Sequence, residues 1–225
     1  MTFIAQPFNI LLINLTKTTG VTVMKKLLVL LLLLILGSMA LAQGLSFGIK
    51  GGLNHSSANG DWAQGAESRS GIAAGGYLTL SLLPSFAIQP EILYSQKGFK
   101  LSGDIDSVPW VGEYRINYLE IPVLAKFSFG ILVKPYVLVG PYFATRVGTS
   151  WEETIGDSTS SGSMDVYIKG SDLGYVLGAG LSTPVKLSLE VRYSNSFSTI
   201  YEEIGGVTHD WKNSNISVMV GYAIF

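Results

Sequence analysis

The chain has 225 residues, 48% hydrophobic and only 14% charged, with a formal net charge of −1 and no cysteine. That length builds one domain with a sizeable core, and the apolar excess is large for an ordinary soluble protein. The missing cysteine excludes a disulfide framework, a thiolate metal site and a lipid-acceptor cysteine, and no basic stripe suited to nucleic acid is present.

Met24-Lys25-Lys26 precedes an apolar run, Leu27 to Leu36, and then Gly37-Ser-Met-Ala-Leu-Ala42. A basic n-region, an apolar h-region and an A-x-A-like site read as a cleavable signal peptide. The run is about ten residues, short of the ~20 that a spanning helix needs. Residues 1–42 are therefore expected to be a signal-peptide region with cleavage after Ala42, residues 1–23 being an extended n-region or, the favoured reading, an unused stretch upstream of a true start at Met24, and residues 43–225 the exported domain.

From Gln43 onward the pattern has period two, as in strands whose two faces differ. Leu45, Phe47, Ile49 and Leu53 oppose Ser46, Gly48, Lys50 and Asn54. Ile72, Ala74, Leu78, Leu80 and Leu82 mark a second segment; Phe86, Ile88, Ile92 and Tyr94 a third, against Gln89, Glu91, Ser95 and Lys97, with Leu93 breaking the alternation. Leu119, Ile121, Val123 and Phe127 oppose Tyr118, Glu120, Leu124 and Lys126, and Val137, Val139 and Phe143 oppose Tyr136, Gly140, Tyr142 and Arg146. Leu173, Tyr175, Leu177, Ala179 and Leu181 oppose Asp172, Gly174, Gly178 and Gly180; Leu187, Leu189, Val191 and Tyr193 oppose Lys186, Ser188, Glu190 and Arg192. The eighth segment carries Ile216, Val218, Val220, Tyr222 and Ile224, and the sequence stops at Phe225.

The links at roughly 54–70, 98–115, 147–171 and 197–214 are rich in Gly, Ser, Asp and Glu, and acids outnumber bases in them. Leu83-Pro84, Ser128-Phe129-Gly130 and Thr183-Pro184 read as tight turns. Long and short links alternate, which predicts an all-β fold: an eight-stranded antiparallel transmembrane barrel of the outer membrane, with short periplasmic turns and long extracellular loops. The last strand then pairs with the first and abolishes both free edges. Pro122 and Pro141 are expected at a strand start or a bulge.

In such a barrel the apolar face meets lipid, and Lys50, Glu91, Lys97, Glu120, Lys126, Arg146, Asp172, Glu190 and Arg192 point into the lumen. Two readings follow, an ion pathway or a charge network that fills the barrel and fixes register. The narrow interior of eight strands favours the second. Trp62, Trp110, Trp151 and Trp211 fall one in each long link, as an aromatic belt at the lipid headgroups or as anchors for a surface ligand. His55 and His209 both fall in predicted loops. His209-Asp210 with Ser194, Ser196 or Ser198 leaves an outer-membrane hydrolase as a distant alternative to a non-catalytic barrel, since such a site needs a base, a nucleophile or water, and oxyanion donors at set distances. No cofactor or metal site is indicated. The expected surroundings are outer-membrane lipid and lipopolysaccharide.

Gly48-Ile-Lys-Gly-Gly-Leu-Asn54, Pro90-Glu-Ile-Leu-Tyr-Ser-Gln-Lys-Gly98, Tyr118-Leu-Glu-Ile-Pro122, Lys134-Pro-Tyr-Val-Leu-Val-Gly-Pro141 and Gly174-Tyr-Val-Leu-Gly-Ala-Gly180 resemble the PorT-like outer-membrane β-barrel family typical of Bacteroidota. The resemblance implies a barrel of the OmpA-like or OmpX-like kind and implies no reaction. It also suggests that Phe225 is the terminal aromatic signal read by the outer-membrane assembly machinery, and it allows a role as a component or accessory of a secretion system.

Overall fold

The computed structural model describes residues 44–59, 65–105, 107–163, 168–199 and 211–225. The signal-peptide reading of Met24 to Ala42, Trp62 and the His209-Asp210 pair lie outside them. The described residues form nine strands: β1 (Gly44–Asn59), β2 (Glu67–Leu83), β3 (Phe86–Ile105), β4 (Val108–Ser128), β5 (Lys134–Ile155), β6 (Ser158–Gly162), β7 (Ser171–Ser182), β8 (Leu187–Ser196) and β9 (Lys212–Ala223). Every pairing is antiparallel. Eight strands pair in the order β1-β2-β3-β4-β5-β7-β8-β9 and return to β1, while β6 pairs with β5 alone.

Closure runs from Gly48 opposite Ala223 to Asn59 opposite Lys212. It continues past β9, where Ile224 N–H donates to the Phe47 carbonyl at 2.7 Å and Phe47 N–H to the Phe225 carbonyl at 3.1 Å. The final strand therefore has no free edge, which a membrane interior requires because lipid offers backbone groups no partner. Phe225 itself is exposed, its ring 6.4 Å from that of Phe47 on β1.

Alternation sets the two faces. Leu45, Ile49, Leu53, Ile72, Ile92, Leu119, Val137, Leu177, Leu189, Val191, Ile216, Val218 and Val220 are exposed on the outer surface. Lys50, Glu91, Lys97, Glu120, Asp172, Glu190 and Arg192 are buried. This inverted partition is the mark of a barrel whose solvent is lipid. Leu93, the residue that broke the alternation, is buried with Ala73 and Met219.

Backbone irregularities are met by side chains of β1. The β2–β3 ladder shifts register between Ser68 and Ala73. Nearby, Gly98 holds φ at 150°, and an added Cβ would run into the Tyr114 carbonyl. The Ser56 hydroxyl donates to the Gly98 carbonyl at 3.0 Å and accepts from its N–H at 2.9 Å, and Asn54 Nδ2 donates to the Gln96 carbonyl at 3.0 Å. The polar groups freed by the irregularity are thereby satisfied from inside the barrel.

Three expectations are corrected. The link at 98–115 is strand almost throughout: β3 runs to Ile105 and β4 starts at Val108. Likewise β5 runs to Ile155 and turns at Gly156, with φ at 55°, into β6. Cross-strand pairs from Lys100–Glu113 to Ile155–Ser158 supply the backbone hydrogen bonds that the polar composition had suggested a loop would leave to water. β3, β4, β5 and β6 thus project from the barrel as a sheet. Second, the prolines sit inside strands without a bulge. The ladder passes from Pro90–Val123 to Leu93–Glu120, and from Pro122–Tyr142 to Ala125–Val139, resuming each time in the same register. An antiparallel residue offers its N–H to one neighbour only, so proline deletes one bond without adding a residue. The β4–β5 shift lies at Asn117/Tyr118 instead. Third, the link between β4 and β5 is a five-residue turn, Phe129 to Val133.

Candidate functional site in the barrel lumen

Two ion-paired clusters fill the interior. In the first, Lys50 on β1 lies 2.8 Å from Glu91 on β3 and 3.4 Å from Glu190 on β8. Arg192, two residues along β8, sends two parallel N–H donors to the Glu91 oxygens at 2.7 Å each and a third to Glu190. Gln89 donates to Glu91 at 2.7 Å and Tyr136 to Glu190 at 3.0 Å. Two cations thus meet two carboxylates, with the spare lone pairs taken by neutral donors. A buried ion pair is tolerated only under that condition. Lys126 stands at the margin, donating to Gln89 at 3.2 Å with its ammonium 3.9 Å from the centre of the Tyr136 ring.

In the second cluster Lys97 lies 2.5 Å from Glu120, and its ammonium is 4.6 Å from the centre of the Tyr142 ring. Asp172 on β7 accepts hydrogen bonds from Tyr142 (3.1 Å), Ser196 (2.7 Å), Ser198 (3.1 Å) and Asn213 (3.2 Å). Between the clusters, Asn54 joins Ser95, Asn215 and Ser217 across three strands. The space left there is about 20 Å³, room for about one water. Beyond Lys97, Phe99 stacks on Tyr114 at 5.0 Å and meets Trp211 at 5.0 Å, so the lumen ends in aromatic rings.

Alternation brings the sequence-selected charges to one interior but gives no partner for any of them. Arg146 lies half-buried opposite Tyr118. Gln89, Tyr136, Tyr142, Asn213 and Asn54 are outside the sequence-selected network, and Ser196 enters the sequence reading only as a candidate hydrolase serine. The available signal was their place on the charged face, together with the need of every buried carboxylate for donors.

The tryptophans are corrected too. Trp110 and Trp151 lie on β4 and β5, half-buried, and not in loops. An added Cβ at Gly112 would meet the Trp110 and Tyr114 rings, and one at Gly162 the Trp151 indole. These rings cover glycines of the projecting sheet. Trp211 packs against Phe99 and the buried apolar cluster. His55 is on β1, exposed, opposite Ser70 and Ile216.

Outside the membrane-spanning part, Glu113 gathers Arg69 at 2.7 Å, Lys100 at 3.3 Å and Arg115 at 3.3 Å. Burial opposes its ionisation, but the hydrogen bonds from Arg69 and Lys100 outweigh burial and hold the carboxyl below its ordinary range. Among the described residues no group of three metal-ligating side chains occurs.

Residues 41–202 match the family model described as outer membrane protein beta-barrel domain. Among solved structures, the chain is similar to Ail, the attachment invasion locus protein of Yersinia pestis, with 14% identity, a TM-score of 0.42, and coverage of 80% of this chain and 98% of Ail. It is similar to Neisserial surface protein A at 15% identity and a TM-score of 0.44, covering 80% and 99%. For OprG of Pseudomonas aeruginosa the values are 14%, 0.40, 80% and 95%. No curated protein matches the chain. With its closed antiparallel ring, lipid-facing apolar surface and ion-paired interior, the chain belongs to the outer membrane protein beta-barrel domain family and resides in the outer membrane, among lipid and lipopolysaccharide.

Proposed function

We propose that the protein is a non-catalytic barrel that serves the cell envelope as a structural element and meets partners through the sheet projecting from it. The observation that carries this reading is the filled lumen: an ion-paired cluster, a second cluster in which neutral donors hold Asp172 beside the Lys97–Glu120 pair, and an aromatic end leave the passage closed, so the surfaces outside lipid are what the molecule offers. Support comes from β3 to β6, whose strands continue beyond the barrel and expose polar and charged residues. The buried serines Ser194 and Ser196 do not suggest hydrolysis, since Ser196 donates to Asp172 and the carboxylate is held by four donors. In this reading residues 24–42 direct export and are removed, the projecting sheet faces outward, and Phe225 is the assembly signal.

The second reading is a component or accessory of a secretion system, which the resemblance of Tyr118–Pro122 on β4 and Lys134–Pro141 on β5 to PorT-like blocks allows. Affinity purification in mild detergent separates the two. The experiment compares the full chain with a variant in which Leu101 to Gly112 is replaced by a short turn. Partners held by the full chain and lost from the variant support surface interaction. Stoichiometric secretion components retained by both favour the second reading, and no partner on either would overturn a role in surface interaction.

A further inference from the structure

The opposite end of the barrel, where the short turns lie, opens into a cavity of about 400 Å³. Lys126, Lys134 and Lys186 line it and no aspartate or glutamate does. None of the three ammonium groups forms an ion pair among the described residues: Lys126 reaches the Gln89 amide oxygen, and Lys186 donates to the Ile224 carbonyl at 3.0 Å. Lys50, Lys97 and Arg192, deeper in the barrel, each meet a carboxylate, and this cationic mouth differs from them.

Two further features mark the place. Lys186 holds φ at 67° in the β7–β8 turn, a left-handed conformation that glycine adopts freely and a lysine only with strain. A lysine standing where glycine fits the backbone better points to use of its side chain. In addition, the turn between β4 and β5 is apolar where water is expected: Ile131 is 90% exposed and Leu132 74%, and both line the cavity together with Leu187. Charge and apolar surface are thus side by side in one concavity.

We propose that this mouth binds an anionic amphiphile, with a carboxylate or phosphate head among Lys126, Lys134 and Lys186 and an alkyl chain against Ile131, Leu132 and Leu187. Three ammonium groups that form no ion pair among the described residues supply the attraction, and the half-buried setting of Lys126 strengthens it relative to water. The apolar turn removes the chain from solvent. A small inorganic anion would use only the first half of the site.

The test is amine acylation of the full chain in neutral maltoside micelles, read residue by residue by mass spectrometry. Dodecyl phosphate or dodecanoate, added as a minor fraction of the micelle, should lower modification of Lys134 and Lys186 several-fold and leave Lys100 on the projecting sheet unchanged. If only one of the two protects, that one identifies the head group as phosphate or as free carboxylate. Equal protection by inorganic phosphate overturns the amphiphile, and absence of protection, or an equal fall at Lys100, overturns the site. Lys186→Gly relieves the turn, so the barrel should stay folded, with its gel shift between unheated and boiled samples intact, while protection of Lys134 weakens. Undiminished protection in that variant overturns the part assigned to Lys186.

Discussion

At the scale of single residues, the first lumenal cluster depends on matched charge. Glu91→Gln keeps the shape of the side chain but leaves Lys50 and Arg192 with Glu190 alone, and breaking a buried pair from one side costs about 3–5 kcal/mol. Glu113→Gln, on the half-exposed projecting sheet, should cost no more than about 1 kcal/mol. Urea unfolding in lipid vesicles, followed by tryptophan fluorescence, measures both; equal losses would mean that the lumenal cluster is hydrated and not buried. The Glu113 effect should also depend on pH. Its folded-state pKa is depressed, so its contribution is present above the ordinary carboxylate value of 4.5 and is lost as pH falls through the folded value. The stability gap between the native chain and Glu113→Gln should therefore close on acidification below pH 4.5, and a gap that widens would contradict the ion cluster. The charges themselves were legible in the sequence, because a lysine or glutamate at every second position of an apolar strand has only one face to occupy. Their pairing was not, because Lys50 meets Glu190 across a separation that only closure of the ring decides.

At the scale of the strands, phase was legible and length was not. Period-two alternation gave the lipid face of β1, β4, β7, β8 and β9 correctly, since lipid demands it of every exposed position. Where β3, β4 and β5 leave the membrane that demand ends, and Gly, Ser, Asp and Glu become compatible with either loop or strand. The prolines differ from the expected strand start or bulge for a related reason: a missing N–H needs neither, because the ladder simply omits a bond and keeps register. Glycines separate the constrained from the free parts of these strands. Gly98→Ala places a Cβ against the Tyr114 carbonyl at a φ of 150°, and should destabilise by more than about 1 kcal/mol. Gly103→Ala meets nothing closer than the Trp110 ring at 3.9 Å, and should leave the thermal transition within about 0.5 kcal/mol of the native chain. Comparable destabilisation at both positions would show that the outer part of β3 is as tightly packed as the part that Ser56 bridges.

For the whole molecule, closure and filling act together. Eight strands enclose a space that side chains can occupy, so a ring of this size is a wall unless its interior is kept clear. Here Lys50, Glu91, Glu190 and Arg192 fill one level, Lys97, Glu120 and Asp172 another, and Phe99 with Trp211 the end. The barrel class and the membrane were legible from composition, from period-two alternation and from the succession of long polar and short links; that the barrel is filled depends on contacts among side chains far apart in sequence. The closed ladder should also make the protein resist SDS until heated, so that unheated and boiled samples migrate differently. The most direct test of a filled, non-conducting barrel is ion conductance of the purified full chain in planar lipid bilayers at neutral pH. The account predicts a baseline without steady open-pore steps, and a sustained ohmic conductance in most insertions would contradict it.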